Sequence, residues 1–218
     1  MAGVGERRRE RLARARLYVV TGAREDRGDL EAFLDAILGA GVDAVQLREK
    51  DAEAGDLLRW GTVFRESASR HGALFFVNDR PDVALALEAD GVHVGQNDLS
   101  PDFVRVLVGP DVLIGLSTHS EEELERASPE ADYVCVGPIH ETPTKKGRPA
   151  TGLGIVAAAA KRELRPWFAI GGIDRETLPA VVGAGATRIV VVRAVTEAAD
   201  PGDGARGLLV GLPEANAR

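Results

Sequence analysis

The stretch Leu17–Asp26, LYVVTGARED, decides the architecture. Its first half is short, β-branched and aromatic, the composition of a strand. Its second half is the strand exit. An open dinucleotide-binding sheet needs a G-x-G-x-x-G turn here, so that backbone can approach a pyrophosphate. VTGARED has a single glycine and no such pattern, whereas a closed barrel makes no such demand.

Working outward, further apolar runs follow: AVQLREK (Ala44–Lys50), LFFVND (Leu74–Asp79), GVHVGQ (Gly91–Gln96), LIGLST (Leu113–Thr118), YVCVGPI (Tyr133–Ile139), WFAIGGI (Trp167–Ile173) and RIVVVRAV (Arg188–Val195). Most lack the alternation of a half-exposed strand, as in a parallel sheet buried on both faces. Helical patterns lie between them. In DLEAFLDAILGAG, Leu30, Phe33, Leu34, Ile37 and Leu38 share a face, and Ser120 with Glu123 has capping-box spacing. GAGVDAVQL, LEADGVHVG, PEADYVCVG and GAGATRIVVV repeat one logic: small helix end, polar turn, strand. Eight such units in one chain predict a single-domain α/β fold, a (β/α)8 TIM barrel over residues 17–218, preceded by an Arg-rich, helical or disordered extension over residues 1–16. The competing plan is an open doubly wound sheet.

Composition excludes several classes. The 218 residues are 44% hydrophobic and 28% charged, as in an ordinary soluble globular protein. A net charge of −7 speaks against general nucleic-acid binding, so a local basic patch points to a small anionic ligand. The single cysteine, Cys135, allows no intrachain disulfide, and a cytoplasmic location is the default expectation. No apolar run approaches the roughly 20 residues of a membrane span. The N-terminal MAGVGERRRERLARARL lacks the apolar core of a secretory signal. Glu6 and Glu10 interrupt its charge and no aromatics are interleaved, so a solvated tail or packing helix is expected rather than an RNA-binding arm.

In a barrel the chemistry sits at the C-terminal strand ends. After the second run, Gln46, Arg48 and Lys50 alternate onto one face. An inward basic row is costly unless an anion meets it, and a salt bridge to a buried carboxylate is the competing explanation. The third and fourth runs end in Asn78–Asp79 and in Gln96 with Asp98. Two acids facing a basic row suggest Mg2+, although either acid alone also fits a turn. Ser117 and His119 follow the fifth run, His119 reading as a hydrogen-bonded loop histidine or an acid–base group. Cys135 lies mid-strand and reads as a small core residue. Gly171 and Gly172 after the seventh run, with the polar end of the eighth, suggest a backbone phosphate cup, or else a plain turn. Two anion sites follow, with the loop GPIHETPTKKGRP (Gly137–Pro149) between them.

Taken in order, QLREK, VNDR, GVHVGQ, GLSTHS, GPIHETPTKKG and AIGGI resemble the thiamine phosphate synthase family, over nearly the whole chain from Leu17 to Pro201. The resemblance implies a (β/α)8 transferase that joins 4-amino-5-hydroxymethyl-2-methylpyrimidine diphosphate to a thiazole phosphate, giving thiamine phosphate and diphosphate with Mg2+ as cofactor. By the same resemblance Gln46, Arg48, Lys50 and Asn78 are pyrimidine diphosphate contacts and Ser117 is a pyrimidine-side residue. Asp79 and Asp98 are the implied Mg2+ ligands. Thr142 and Thr144 resemble thiazole phosphate contacts, Lys145 the lysine that meets the leaving diphosphate, and Gly172, Val192 and Arg193 the phosphate cup. Some members carry serine where this chain has Arg193. The implied mechanism is dissociative: Arg48, Lys50, Lys145 and Mg2+ stabilise the departing diphosphate, the electron-rich pyrimidine stabilises the carbocation, and the thiazole nitrogen attacks. No protein nucleophile is needed.

The implied partners are two small-molecule substrates, with no nucleic acid and no membrane; a homo-oligomer is compatible with the pattern. Two rivals stay open. A related thiazole tautomerase would use a group such as His119 and no diphosphate site. A precursor sensor on the same barrel would bind without turnover.

Overall fold

The apolar runs lack alternation because both of their faces are covered. The computed structural model describes residues 3–142 and 149–214. Its strands are β1 (Leu17–Thr21), β2 (Ala44–Leu47), β3 (Leu74–Asn78), β4 (Gly91–Val94), β5 (Leu113–Thr118), β6 (Tyr133–Val136), β7 (Trp167–Ile170) and β8 (Ile189–Val191). Each pairs in parallel with the next, and β8 returns to β1, so the sheet is a closed barrel and the open-sheet alternative falls. Helices α2 (Leu30–Gly39), α3 (Ala54–His71), α4 (Pro81–Ala86), α5 (Pro101–Val108), α6 (Glu121–Glu125), α7 (Gly154–Arg162) and α8 (Leu178–Gly183) link successive strands. α1 (Val4–Arg14) precedes the barrel, and α9 (Arg193–Thr196) and α10 (Pro201–Gly211) follow it.

Two apolar clusters result. Val19, Val45, Phe75, Val77 and Ile114 face outward and pack with helix residues such as Phe33, Leu34, Ile37 and Phe64. The interior holds Tyr18, Phe76, Tyr133 and Phe168, whose ring centroids lie 5.2–6.2 Å apart. Each fully buried large side chain contributes about 1.5–3 kcal/mol. Four rings fit because β4 and β5 contribute glycines opposite them: a Cβ at Gly91 would strike the Phe76 ring, and one at Gly115 would strike Tyr133 and His93.

The sequence repeat has a physical cause at the barrel floor. Asp43, Asp90 and Asp132 each precede a strand, and each carboxylate accepts backbone N–H groups at the start of the preceding strand. The donors are Leu17 to Asp43 (3.0 Å), Phe75 to Asp90 (3.0 Å) and Ile114 to Asp132 (2.8 Å). In the fourth copy Arg188 takes this place and donates to the Ala13 carbonyl at 2.7 Å. The Arg-rich extension is helical and seats on the same floor. Arg8 pairs with Asp90 at 2.9 Å, Arg9 with Asp132 at 2.7 Å, and Leu12 is buried against the barrel interior.

The exit of β1 serves local packing. The Glu49 carboxylate accepts the Ala23 N–H at 2.8 Å and occupies the space a side chain at Gly22 would need. Arg24 pairs with Asp29 at 2.7 Å and lies 3.9 Å over the Phe33 ring, tying the turn to α2. At α6, Ser120 accepts the Glu123 N–H as the spacing predicts, but the Glu123 carboxylate goes to the His119 N–H, one residue before the cap.

Candidate active site

The candidate residues that the structure describes collect at the C-terminal mouth of the barrel, and some of their expected placements need correction. β2 ends at Leu47, so the inward Gln-Arg-Lys row is not a continuous strand face. Gln46 alone points into the barrel, where its amide nitrogen donates to the Tyr18 hydroxyl at 2.5 Å. Arg48 lies beyond the strand, its backbone N–H held by the Thr21 carbonyl at 2.9 Å. The residue is half-buried and its guanidinium has no acceptor among the described residues. Lys50 lies at the exposed rim, with Nζ 3.3 Å from an Asp79 carboxylate oxygen. The row therefore divides: Lys50 forms an ion pair with Asp79, and Arg48 has no acceptor among the described residues.

Asp79 follows β3 with φ of 59°, a left-handed conformation that aspartate tolerates better than most residues. Its backbone N–H donates to the His93 carbonyl at 2.9 Å, joining the ends of β3 and β4. Burial raises its carboxyl above the ordinary value, the neighbouring Asp98 charge adds to this, and Lys50 opposes it. The exposed Asp98 accepts the Gly95 N–H at 2.9 Å. No group of three or more His, Cys, Asp or Glu ligands occurs among the described residues. Asp79 and Asp98 are two carboxylates, so a divalent cation held there would need further positions from water or ligand oxygens.

The interior polar residues come from separate strands. Asn78 is in register with His93. Ser117 lies on β5, and its hydroxyl is 2.9 Å from His93 Nε2. Gln96 donates to the Ser117 carbonyl at 2.7 Å. Tyr133 links His93 Nδ1 (3.1 Å) to the Tyr18 hydroxyl (3.3 Å). Burial pushes the Tyr18 and Tyr133 phenols upward, so both remain hydroxyls. Sequence reasoning missed His93, Tyr18 and Tyr133. The available signal was a polar atom at the interior-facing position of three otherwise apolar runs.

A second region lies across the mouth. A cavity of about 410 Å³ is lined by Gly137, Thr142, Gly171, Gly172, Val192 and Arg193, among others. Gly171 has φ of 108° and Gly172 of 64°, and a Cβ at Gly171 would sit 2.5 Å from Pro138 Cα. Only glycine permits this close approach of the β6 and β7 exits. β8 stops at Val191, and Arg193 opens α9 instead of ending a strand. Arg193 is exposed and has no ion-pair partner among the described residues. Asp174 does not begin α8 directly. It heads a turn in which backbone N–H donation from Thr177 holds its carboxyl below the usual value. The exposed Glu141 and Glu197 also line the cavity, as rim charges in high dielectric. His119 Nδ1 contacts the Gly137 carbonyl at 2.5 Å, and Cys135 is buried in the interior cluster as expected. Thr144 and Lys145 lie outside the described residues.

The family model described as thiamine monophosphate synthase matches residues 17–195. The chain belongs to the thiamine phosphate synthase family. Thiamine-phosphate synthase from Acidothermus cellulolyticus is 56% identical over 197 residues, covering 89% of this chain and 93% of that protein. The corresponding protein from Mycobacterium avium is 54% identical over 196 residues, covering 85% and 88%. A solved thiamine phosphate pyrophosphorylase from Pyrococcus furiosus superposes with a TM-score of 0.82 at 32% identity, covering 95% of this chain and 98% of that one. A 3-hexulose-6-phosphate synthase, at 19% identity and a TM-score of 0.67, shares the fold alone. Membership of the thiamine phosphate synthase family makes this chain a transferase of thiamine biosynthesis that forms thiamine phosphate. No helix among the described residues is long and apolar enough to cross a membrane.

Proposed function

We propose that the chain couples 4-amino-5-hydroxymethyl-2-methylpyrimidine diphosphate to a thiazole phosphate, releasing diphosphate by a dissociative substitution. The observation that carries this reading is Arg48, a half-buried residue whose guanidinium has no acceptor among the described residues, near in sequence to Lys50 of the Lys50–Asp79–Asp98 cluster. A cation held without a partner at a barrel mouth is best explained by an anionic ligand.

Arg48 and Lys50 take the diphosphate, with Lys145 as a third cation. Gln46, Asn78 and Ser117 hold the pyrimidine. Gly172, Val192 and Arg193, with Thr142 and Thr144, take the thiazole phosphate across the mouth. Asp79 and Asp98 fit Mg2+, because a divalent cation offsets both the burial and the neighbouring Asp98 charge that raise the Asp79 carboxyl. When bound, it neutralises charge on the diphosphate. Arg48, Lys50 and Lys145 stabilise the negative charge that grows on the leaving oxygens as the C–O bond breaks. The two sites hold the thiazole nitrogen against the cationic carbon, so positioning replaces covalent catalysis. Burial of Cys135 in the barrel interior agrees with a reaction that needs no protein nucleophile.

A coupled diphosphate-release assay with both substrates and Mg2+ tests the reading. Release should require both substrates and fall sharply on chelation. Tight binding of either substrate with no release would favour the sensor alternative.

A further inference from the structure

One polar path crosses the apolar interior of the barrel. It runs from Gln46 on β2 to Tyr18 on β1, Tyr133 on β6, His93 on β4 and Ser117 on β5, with contacts of 2.5, 3.3, 3.1 and 2.9 Å. All five residues are buried. Its two ends are residues assigned above to the pyrimidine, and its middle three are not.

The proton order along this path is set from one end. The Gln46 amide nitrogen only donates, so Tyr18 accepts at its oxygen and has one proton to place. Tyr18 is fully buried, and Tyr133 is its remaining partner among the described residues. Leaving a buried hydroxyl proton without an acceptor is costly, so Tyr18 donates to Tyr133. Tyr133 then donates to His93 Nδ1, which must be bare. The imidazole proton resides on Nε2 and is donated to the Ser117 oxygen. The Ser117 proton has no taker within the path and is left for the barrel mouth. Either alternative at His93, the Nδ1–H tautomer or the doubly protonated ring, would turn the Tyr133 proton back toward Tyr18 and strand a proton there.

The joint between Tyr133 and His93 is built for contact. A Cβ at position 115 would lie on both the Tyr133 hydroxyl and His93 Nδ1, so the glycine of LIGLST makes room for this hydrogen bond.

We propose that His93 is a positioning residue that fixes Ser117 as a hydrogen-bond donor toward the substrate, with its tautomer dictated by Gln46 through Tyr18 and Tyr133. The role rests on the reading of Ser117 as a pyrimidine contact. It restricts the ligand chemistry: the ring atom facing Ser117 must be an acceptor, such as an unprotonated ring nitrogen, and Gln46 Oε1 remains available to accept from an amino group.

Two measurements test this on the full chain. Nitrogen NMR of the histidine-labelled, ligand-free protein near neutral pH should show His93 with its proton on Nε2 and a bare Nδ1. A proton on Nδ1 would overturn the proposal, whatever the activity. In kinetics, His93→Phe keeps a ring but removes both nitrogens, and kcat/KM for the pyrimidine diphosphate should fall about tenfold, the worth of one neutral hydrogen bond. The KM for thiazole phosphate should stay unchanged. His93→Gln can return a donor toward Ser117 and should recover most of the loss. Equal losses in both variants, or a shift in both KM values together, would mark His93 as structural only. The tautomer is read without turnover, so failure of the proposed reaction is recognised separately, as absence of product from the wild-type chain.

Discussion

Replacing Arg48 by methionine should cost turnover and almost no stability. The guanidinium has no acceptor among the described residues, so its removal strands no carboxylate and no carbonyl. The backbone bond from Arg48 to Thr21 survives the substitution, and methionine still covers what the arginine stem covers. Stability should therefore move by no more than about 0.5 kcal/mol, as for substitutions that touch no special feature. Against diphosphate the lost contact is charge-assisted and worth about 1.5–3 kcal/mol. At roughly 1.36 kcal/mol per tenfold, kcat/KM should fall about 10- to 150-fold. The loss should appear in kcat as well as KM, because the contact strengthens as charge collects on the leaving oxygens. Lys50→Met is the contrasting variant: it removes the cation facing Asp79 while Asp98 stays, so stability and activity should both fall. Diphosphate release at saturating thiazole phosphate and urea unfolding of the same samples separate the two effects. A loss of more than about 2 kcal/mol of stability in Arg48→Met with wild-type kcat/KM would show that Arg48 holds the fold and does not meet the diphosphate.

Other variants probe the floor, the cup and the turn. Asp132→Ala should destabilise by about 2–4 kcal/mol in urea unfolding, because it strands the Ile114 N–H and removes a carboxylate shared by Arg9 and Arg105; turnover per folded molecule should not change. Gly171→Ala, with φ of 108° and Pro138 at 2.5 Å, should raise the KM for thiazole phosphate and leave that for pyrimidine diphosphate alone. Asp174→Ala should lower Tm at neutral pH. The Asp174 carboxyl lies below its unfolded value of 3.8 because Thr177 N–H bonds favour the anion, so its stabilising contribution is present above that pH and is lost as pH falls through the folded value. The Tm gap between wild type and variant should close in acid.

What was legible in the sequence follows from where each signal lives. Strands buried on both faces print as continuous apolar runs, so the barrel could be read directly. The Asp43–Asp90–Asp132 repeat was visible as pattern, but its cause lies across strands, in backbone groups of the preceding strand. Placement at the rim was less legible. Alternation carried Arg48 and Lys50 inward only while β2 was assumed to continue, and it ends at Leu47. The apolar run carries Arg193 as a strand end, yet the chain turns at Val192, with φ of −122° and ψ of −92°, into α9. The three polar positions of the interior path are visible in the apolar runs, but their connection is not, since Tyr18 and Tyr133 stand 115 residues apart and meet only when the barrel closes.

In the proposed reaction one chain joins two phosphorylated heterocycles by displacing diphosphate. Phosphorus NMR of the full chain with both substrates and Mg2+, backed by mass spectrometry of the organic product, tests it most directly. One diphosphate should appear for each thiamine phosphate, with neither formed when either substrate is withheld. Diphosphate released as fast without the thiazole phosphate, or both substrates bound and unchanged, would contradict it.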